Sequence, residues 1–289
     1  MRFFTRKLRH RQGVSAFWMI ATLATAWSLP TSAKTGGEVA ADLNARYVDT
    51  TPCPGGKAAY MCNGIVLRFT GYGPNFHAWN PSPEAIKRNG VSFVYLRSDL
   101  KRMNLNKAAK YEVPVGLISR ALGAPAEHPF QMRCMYPTDG HTGERPDKCG
   151  IHQSNNPKSV PCAELGIADL SAWKANYAIT GDDQQCSLGA DGAAFDLSIQ
   201  ARTVLPKPFN KDSENWNEAV IAVWEQDIPT KLPFEAIFYM KDQLKGAQYI
   251  QKDFLKHTGR ILPIVKLTEN PGKKDLFSFS IHDQIEITD

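Results

Sequence analysis

Two charged residues stand inside otherwise apolar runs, and both types are useful in catalysis. Arg68 lies within Ile65-Val-Leu-Arg68-Phe69, and Glu235 within Phe234-Glu235-Ala-Ile-Phe-Tyr239. A guanidinium at a strand edge can clamp a phosphate or carboxylate through a fork of two hydrogen bonds, or pair structurally with an acidic residue. A desolvated carboxylate has a shifted pKa, which suits it to catalysis, whereas on an outward-facing edge it would be inert. Ser92, in Gly90-Val-Ser92-Phe93, can bond a ribose hydroxyl or serve only its strand. The Pro-rich stretch Phe76–Pro83 gathers His77, Trp79 and Asn80, a composition suited to stacking a planar ring and bonding its edge. The same prolines would also make a rigid connector with Trp79 plugging the core. Asp139, Thr142 and Arg145, between Cys134 and Cys149, either order that loop or line a pocket.

The elements that must position these residues are legible from period and punctuation. Val39, Leu43 and Tyr47 recur at helical spacing, predicting a helix over Glu38–Tyr47. Gly64 and Gly71 bound a buried strand carrying Arg68, and Val91, Phe93 and Tyr95 alternate as a second strand carrying Ser92. Ser82 before Pro83 and Glu84 signals a short helix closed by Asn89-Gly90. Further strands are expected at Val113–Ser119 and Phe130–Tyr136, a helix at Asp169–Tyr177 and a loop at Gly181–Gly192. In the last third, Ala219–Glu225, Phe234–Tyr239, Ile261–Leu267 and Leu276–Ile281 read as strands. Leu244–His257 reads as a helix with Gly259 at its C-cap. Short strands with few helices and no regular β-α-β alternation predict an α+β fold with short mixed β-sheets in a single disulfide-containing domain.

Charge and cysteines narrow the function classes. The 289 residues hold 34 Lys+Arg against 29 Asp+Glu, but Arg2, Arg6, Lys7, Arg9 and Arg11 all precede residue 12. Removing residues 1–33 takes away five positive and no negative charges, leaving 29 − 29 = 0, which gives no electrostatic footprint for nucleic acid. That stretch combines a basic start, an apolar run from Val14 to Leu29, and Pro30-Thr-Ser-Ala33. It reads as a signal peptide cleaved near Ala33, with a membrane anchor as the alternative. No later segment approaches about 18 consecutive apolar residues, so residues 34–289 are expected to form a secreted or periplasmic domain with no membrane span. All six cysteines fall in that part, and export favours three disulfides. Sequence alone does not choose the pairing. Nearest neighbours are expected because Cys53-Pro-Gly-Gly…Cys62 brackets a turn and Asp139-Gly…Gly150 a polar loop. A zinc site around His141, Cys149 and His152 is the rival use of one cysteine; no metal is expected.

The familiar catalytic signatures are missing: there is no Gly-x-Gly-x-x-Gly after a strand, no Walker loop, no Gly-x-Ser-x-Gly elbow and no His-Glu-x-x-His helix.

The chain instead resembles the halovibrin family of secreted bacterial proteins. The blocks that carry the resemblance are Gly64-Ile-Val-Leu-Arg68, His77-x-Trp79-Asn80-Pro81-Ser82-Pro83 and Gly90-Val-Ser92-Phe-x-Tyr95-Leu-Arg97-x-Asp99. They continue through Cys134-x-x-Pro137-x-Asp139-x-x-Thr142-x-x-Arg145-x-Asp147-x-Cys149-Gly150, Gly166-Ile…Trp173…Tyr177 and Leu232-Pro-x-Glu235-Ala-x-Phe-Tyr239. The last spans Gly246-Ala-x-Tyr249-x-Gln251-x-x-Phe254-x-x-x-Thr258-Gly259-x-x-x-Pro263-Ile. The resemblance implies an enzyme that cleaves the nicotinamide–ribose bond of NAD, as a glycohydrolase or a mono-ADP-ribosyltransferase. ADP-ribosyltransferases of the Arg–Ser–Glu type, with their split sheet, are similar in using a strand arginine, a strand serine and a later strand glutamate. Arg68, Ser92 and Glu235 occur in that order. Arginine-modifying members carry Glu or Gln two residues before the catalytic Glu, where this chain has Pro233, which favours water as acceptor.

The resulting expectation places Arg68 on the diphosphate, Ser92 near the nicotinamide ribose, Trp79 against the nicotinamide and Glu235 beside the developing ribosyl cation. His77, Asn80, Asp139 and Arg145 are further substrate-binding candidates. NAD is substrate, with no cofactor required, and a host protein is a possible acceptor. The alternative outside the enzyme class is a non-catalytic, disulfide-stapled binding module.

Overall fold

Helix α1 (Gly36–Val48) begins where Thr35 accepts a hydrogen bond from Glu38 N and the Glu38 carboxylate returns one to Thr35 N, a reciprocal capping box. Its apolar stripe, Val39, Ala40, Leu43 and Tyr47, is buried. In the computed structural model the chain divides between Ala33 and Lys34. The structure describes residues 34–108, 114–140, 149, 160–182, 185–205, 211–273 and 276–282. The expected signal peptide lies outside these residues, as do Arg145, Thr142, His141, His152 and the start of the strand predicted from Val113.

Nine strands form one mixed sheet in the order β5-β4-β6-β2-β1-β3-β7-β8-β9. They are β1 (Ile65–Phe69), β2 (Val91–Leu96), β3 (Val115–Ser119), β4 (Met132–Tyr136), β5 (Leu188–Gly189), β6 (Glu218–Ile221), β7 (Phe234–Tyr239), β8 (Ile264–Glu269) and β9 (Phe277–Ile281). All pairings are antiparallel except β7 with β8, whose connection is α6 (Leu244–Thr258). The fold is therefore mixed α+β. The remaining helices are α2 (Pro83–Lys87), α3 (Leu105–Ala108), α4 (Leu170–Thr180) and α5 (Gly192–Val204). Two features correct the expected loop at 181–192: β5 pairs with β4 inside it, and α5 starts at its end, with Asp191 accepting from Ala194 N.

The core centres on the middle strands, where Val66, Leu67, Phe93, Tyr95, Leu117, Ile237 and Phe238 are all buried. A second apolar cluster, with Trp173 stacked on Tyr177, sits between α4, α5 and β5. Gly64 enters β1 at φ 68, and a Cβ there would run into the Tyr95 ring, so only glycine fits. The cysteines pair as nearest neighbours: Cys53–Cys62, Cys134–Cys149 and Cys162–Cys186. Cys149 is thereby unavailable to the alternative zinc site. No helix among the described residues is long and apolar enough to cross a membrane.

At the β9 edge, Asn44 of α1 donates to the Phe279 carbonyl at 2.7 Å and accepts from Phe279 N at 2.9 Å. One side chain thus satisfies an edge-strand residue as a neighbouring strand would.

Candidate active site

Pairing register decides which side chains can meet. Val66 stands opposite Tyr95 and Leu67 opposite Val94, so alternation puts Arg68 on the face of Phe93 and Ser92 on the other face. The contacts agree. Arg68, 5% exposed, donates to the Ala78 carbonyl at 3.3 Å and lies 5.6 Å over the Trp224 ring, which also meets Phe93. Ser92 instead donates to Glu218, which also accepts from Gly140 N at 2.8 Å. The structure does not bring Arg68 and Ser92 to one point.

Glu235 sits where alternation breaks. Pairing of β7 with β3 runs from Tyr239 opposite Val115 to Ala236 opposite Ile118, then jumps to Phe234 opposite Ser119. Glu235 is the residue skipped, and such irregularities re-aim side chains. Its carboxylate, 19% exposed, forms an ion pair with Arg46 of α1. Burial raises its pKa above the ordinary glutamate value, and the charges of Arg46, Arg120 and Lys34 offset that only in part. Arg46 spends one terminal nitrogen on Glu235, while its buried Nε has no hydrogen-bond partner among the described residues. Arg260 joins the same basic group: burial lowers its pKa, and repulsion from Arg120 adds to the effect. One mostly buried carboxylate thus pairs with Arg46 in the field of Arg120 and Lys34, an arrangement able to attract an anion while keeping negative charge beside it.

The remaining sequence-named residues fall elsewhere. Trp79, 1% exposed, is a core side chain, one face on the His77 ring and an edge contact on Phe254, which leaves it no face for a nicotinamide. Asn80 donates to Asp227 at 2.9 Å and accepts from Asp227 N at 3.0 Å, fixing the loop to the segment after β6. Asp139 offers its carbonyl to Gln185 at 2.9 Å. His77 is half-buried and bonds Asp253 of α6.

Two features carried no signal in sequence. Arg46 and Arg120 read as ordinary surface charge, because their partner is over a hundred positions distant. A cavity of about 610 Å³ is lined by Lys101, Arg102, Asn104, Glu269 and Lys273, none of them a candidate from the sequence. Burial raises the pKa of Glu269, which accepts from Asn106 N and Nδ2, both at 3.0 Å. Compared with known proteins, the chain matches no family profile, no curated relative and no solved structure.

Proposed function

We propose that this protein cleaves the nicotinamide–ribose bond of NAD and that Glu235 is its catalytic carboxylate. The observation that carries the reading is the ion pair of a mostly buried, pKa-raised Glu235 with an Arg46 whose Nε has no partner among the described residues, in the field of Arg120 and Lys34. An incoming diphosphate competes for the guanidinium and frees the carboxylate to face the ribose. The C1′–N bond breaks, its electron pair leaves with neutral nicotinamide, and Glu235 stabilises the positive charge left on the ribosyl carbon. Water adds hydroxide to that carbon and releases a proton, giving ADP-ribose. The resemblance of the sequence blocks to the halovibrin family supports the same chemistry, and the ADP-ribosyltransferase-like sheet is part of this proposal, with β2 as the strand shared by its two halves. Arg68 becomes a positioning residue that holds the Ala78 carbonyl.

The test is release of nicotinamide from NAD by the purified protein, beside Glu235→Gln and Glu269→Gln. Loss in the first variant alone supports the assignment. Loss in the second alone moves the chemistry to the cavity, and no release by the wild type leaves the binding-module reading. Labelled NAD with added proteins then separates hydrolysis from transfer.

A further inference from the structure

Asp253 and His257 lie one turn apart on α6, and His77 reaches them from the loop before α2. His77 Nδ1 is 2.8 Å from one Asp253 carboxylate oxygen, and His257 Nδ1 is 3.3 Å from the other and 2.9 Å from the Asp253 carbonyl. One ligand atom from each residue lies within 4.8 Å of the other two. We propose that these three side chains form a binding site for a divalent transition ion of the zinc class, with a coordination position left for water.

The donor set argues for that class. Two imidazoles and one carboxylate match three-ligand zinc sites, whereas calcium and magnesium take oxygen donors almost exclusively. The scaffold argues for preorganisation. The His77 ring is stacked on Trp79 at 4.6 Å with planes 8° apart, and the His257 ring meets it edge-on at 4.5 Å. Trp79 is itself fixed, its carbonyl accepting from Trp224 Nε1 at 3.0 Å and its ring packed on Phe254. Access is open on one side, since the His77, Asp253 and His257 side chains are 30%, 17% and 36% exposed. Hydrogen bonds now join the imidazoles to Asp253. An entering ion takes the lone pair of one ring nitrogen of each imidazole at about 2.0–2.2 Å, and a neutral ring keeps its single proton on the other nitrogen. Nothing in the NAD cleavage proposed above uses this ion, so either idea can fail without the other.

The test is zinc titration of the purified, tag-free, chelator-treated protein by calorimetry, with Co²⁺ as a spectroscopic probe. The expected result is one equivalent bound, a Tm that rises with zinc concentration, and visible Co²⁺ absorption from a low-coordinate site. His257→Ala and Asp253→Asn, both partly exposed, should fold normally and weaken binding by about 100-fold or more, while His128→Ala binds like the wild type. Absence of saturable zinc binding at micromolar concentration, or binding unchanged in well-folded His257→Ala, would overturn the proposal.

Discussion

The two ends of the sheet spend their buried polar groups differently. At the β5-β4-β6 end, two disulfides staple the chain, and Arg202 is buried with its guanidinium on the carbonyls of Pro137, Trp216 and Arg102. Burial pushes the Arg202 pKa down to about 9, the mark of a charge held wholly inside the fold. At the β7-β8-β9 end there is no cysteine, and the polar side chains answer to one another: Arg46 to Glu235, His77 and His257 to Asp253. A charge held chiefly by backbone carbonyls is committed to structure. A group held by another side chain can exchange that partner for a ligand, so the chemistry we propose lies at the unstapled end.

The sharpest way to break this contrast is Glu235→Gln, which keeps size and removes charge. Turnover should fall 100- to 1,000-fold, about 2.7–4 kcal/mol, while NAD binding is not weakened, because the diphosphate no longer has a carboxylate to displace from Arg46. Equal turnover in a folded variant would erase the functional half of the comparison. Next comes the stapled end: replacing Cys162 and Cys186 together by Ser opens a 24-residue separation and should cost about 3 kcal/mol in denaturant unfolding while leaving turnover per folded molecule intact. A variant that keeps its stability but loses activity would reverse the roles of the two ends.

A pH profile sharpens the assignment further. Because burial raises the Glu235 pKa, the acid limb of kcat should lie above pH 4.5 and vanish from the residual activity of Glu235→Gln. The folded protein binds this proton more tightly than the unfolded chain. Its stabilising contribution is therefore complete below pH 4.5 and lost as pH rises through the raised value, so wild type should lose stability relative to Glu235→Gln over that interval. Smallest of all, Arg88→Ala removes only the helical pair with Glu84 and should cost about 0.3–0.5 kcal/mol by thermal unfolding, with no change in turnover.

Much of the fold could be read directly. Strand β7 has the bounds that its apolar run between Pro233 and Met240 predicts, and α6 ends at the left-handed Gly259 that caps it. Helix α5 was hidden because Gly189 and Gly192 flank Asp191 and disguise its N-cap as loop sequence. The site was only half legible. Glu235 is conspicuous on its strand, but its partner is 189 positions away on a helix whose charges look solvated. Arg68 and Ser92 were both visible, yet only register reveals that they point to opposite faces. Asp253 and His257 resemble any polar turn of an amphipathic helix until the His77 loop is laid beside them.

The clasp of Asn44 on Phe279 has a consequence for how the molecule comes into being. It joins positions 235 apart, whereas the three disulfides close separations of only 9, 15 and 24. Each staple can be set once its second cysteine has emerged, without waiting for β9. Helix α1 must wait for β9 before its polar face has the edge it covers. A chain delivered from its N-terminus can therefore be cross-linked in order while its sheet is still unsealed, and β9 locks α1 in place.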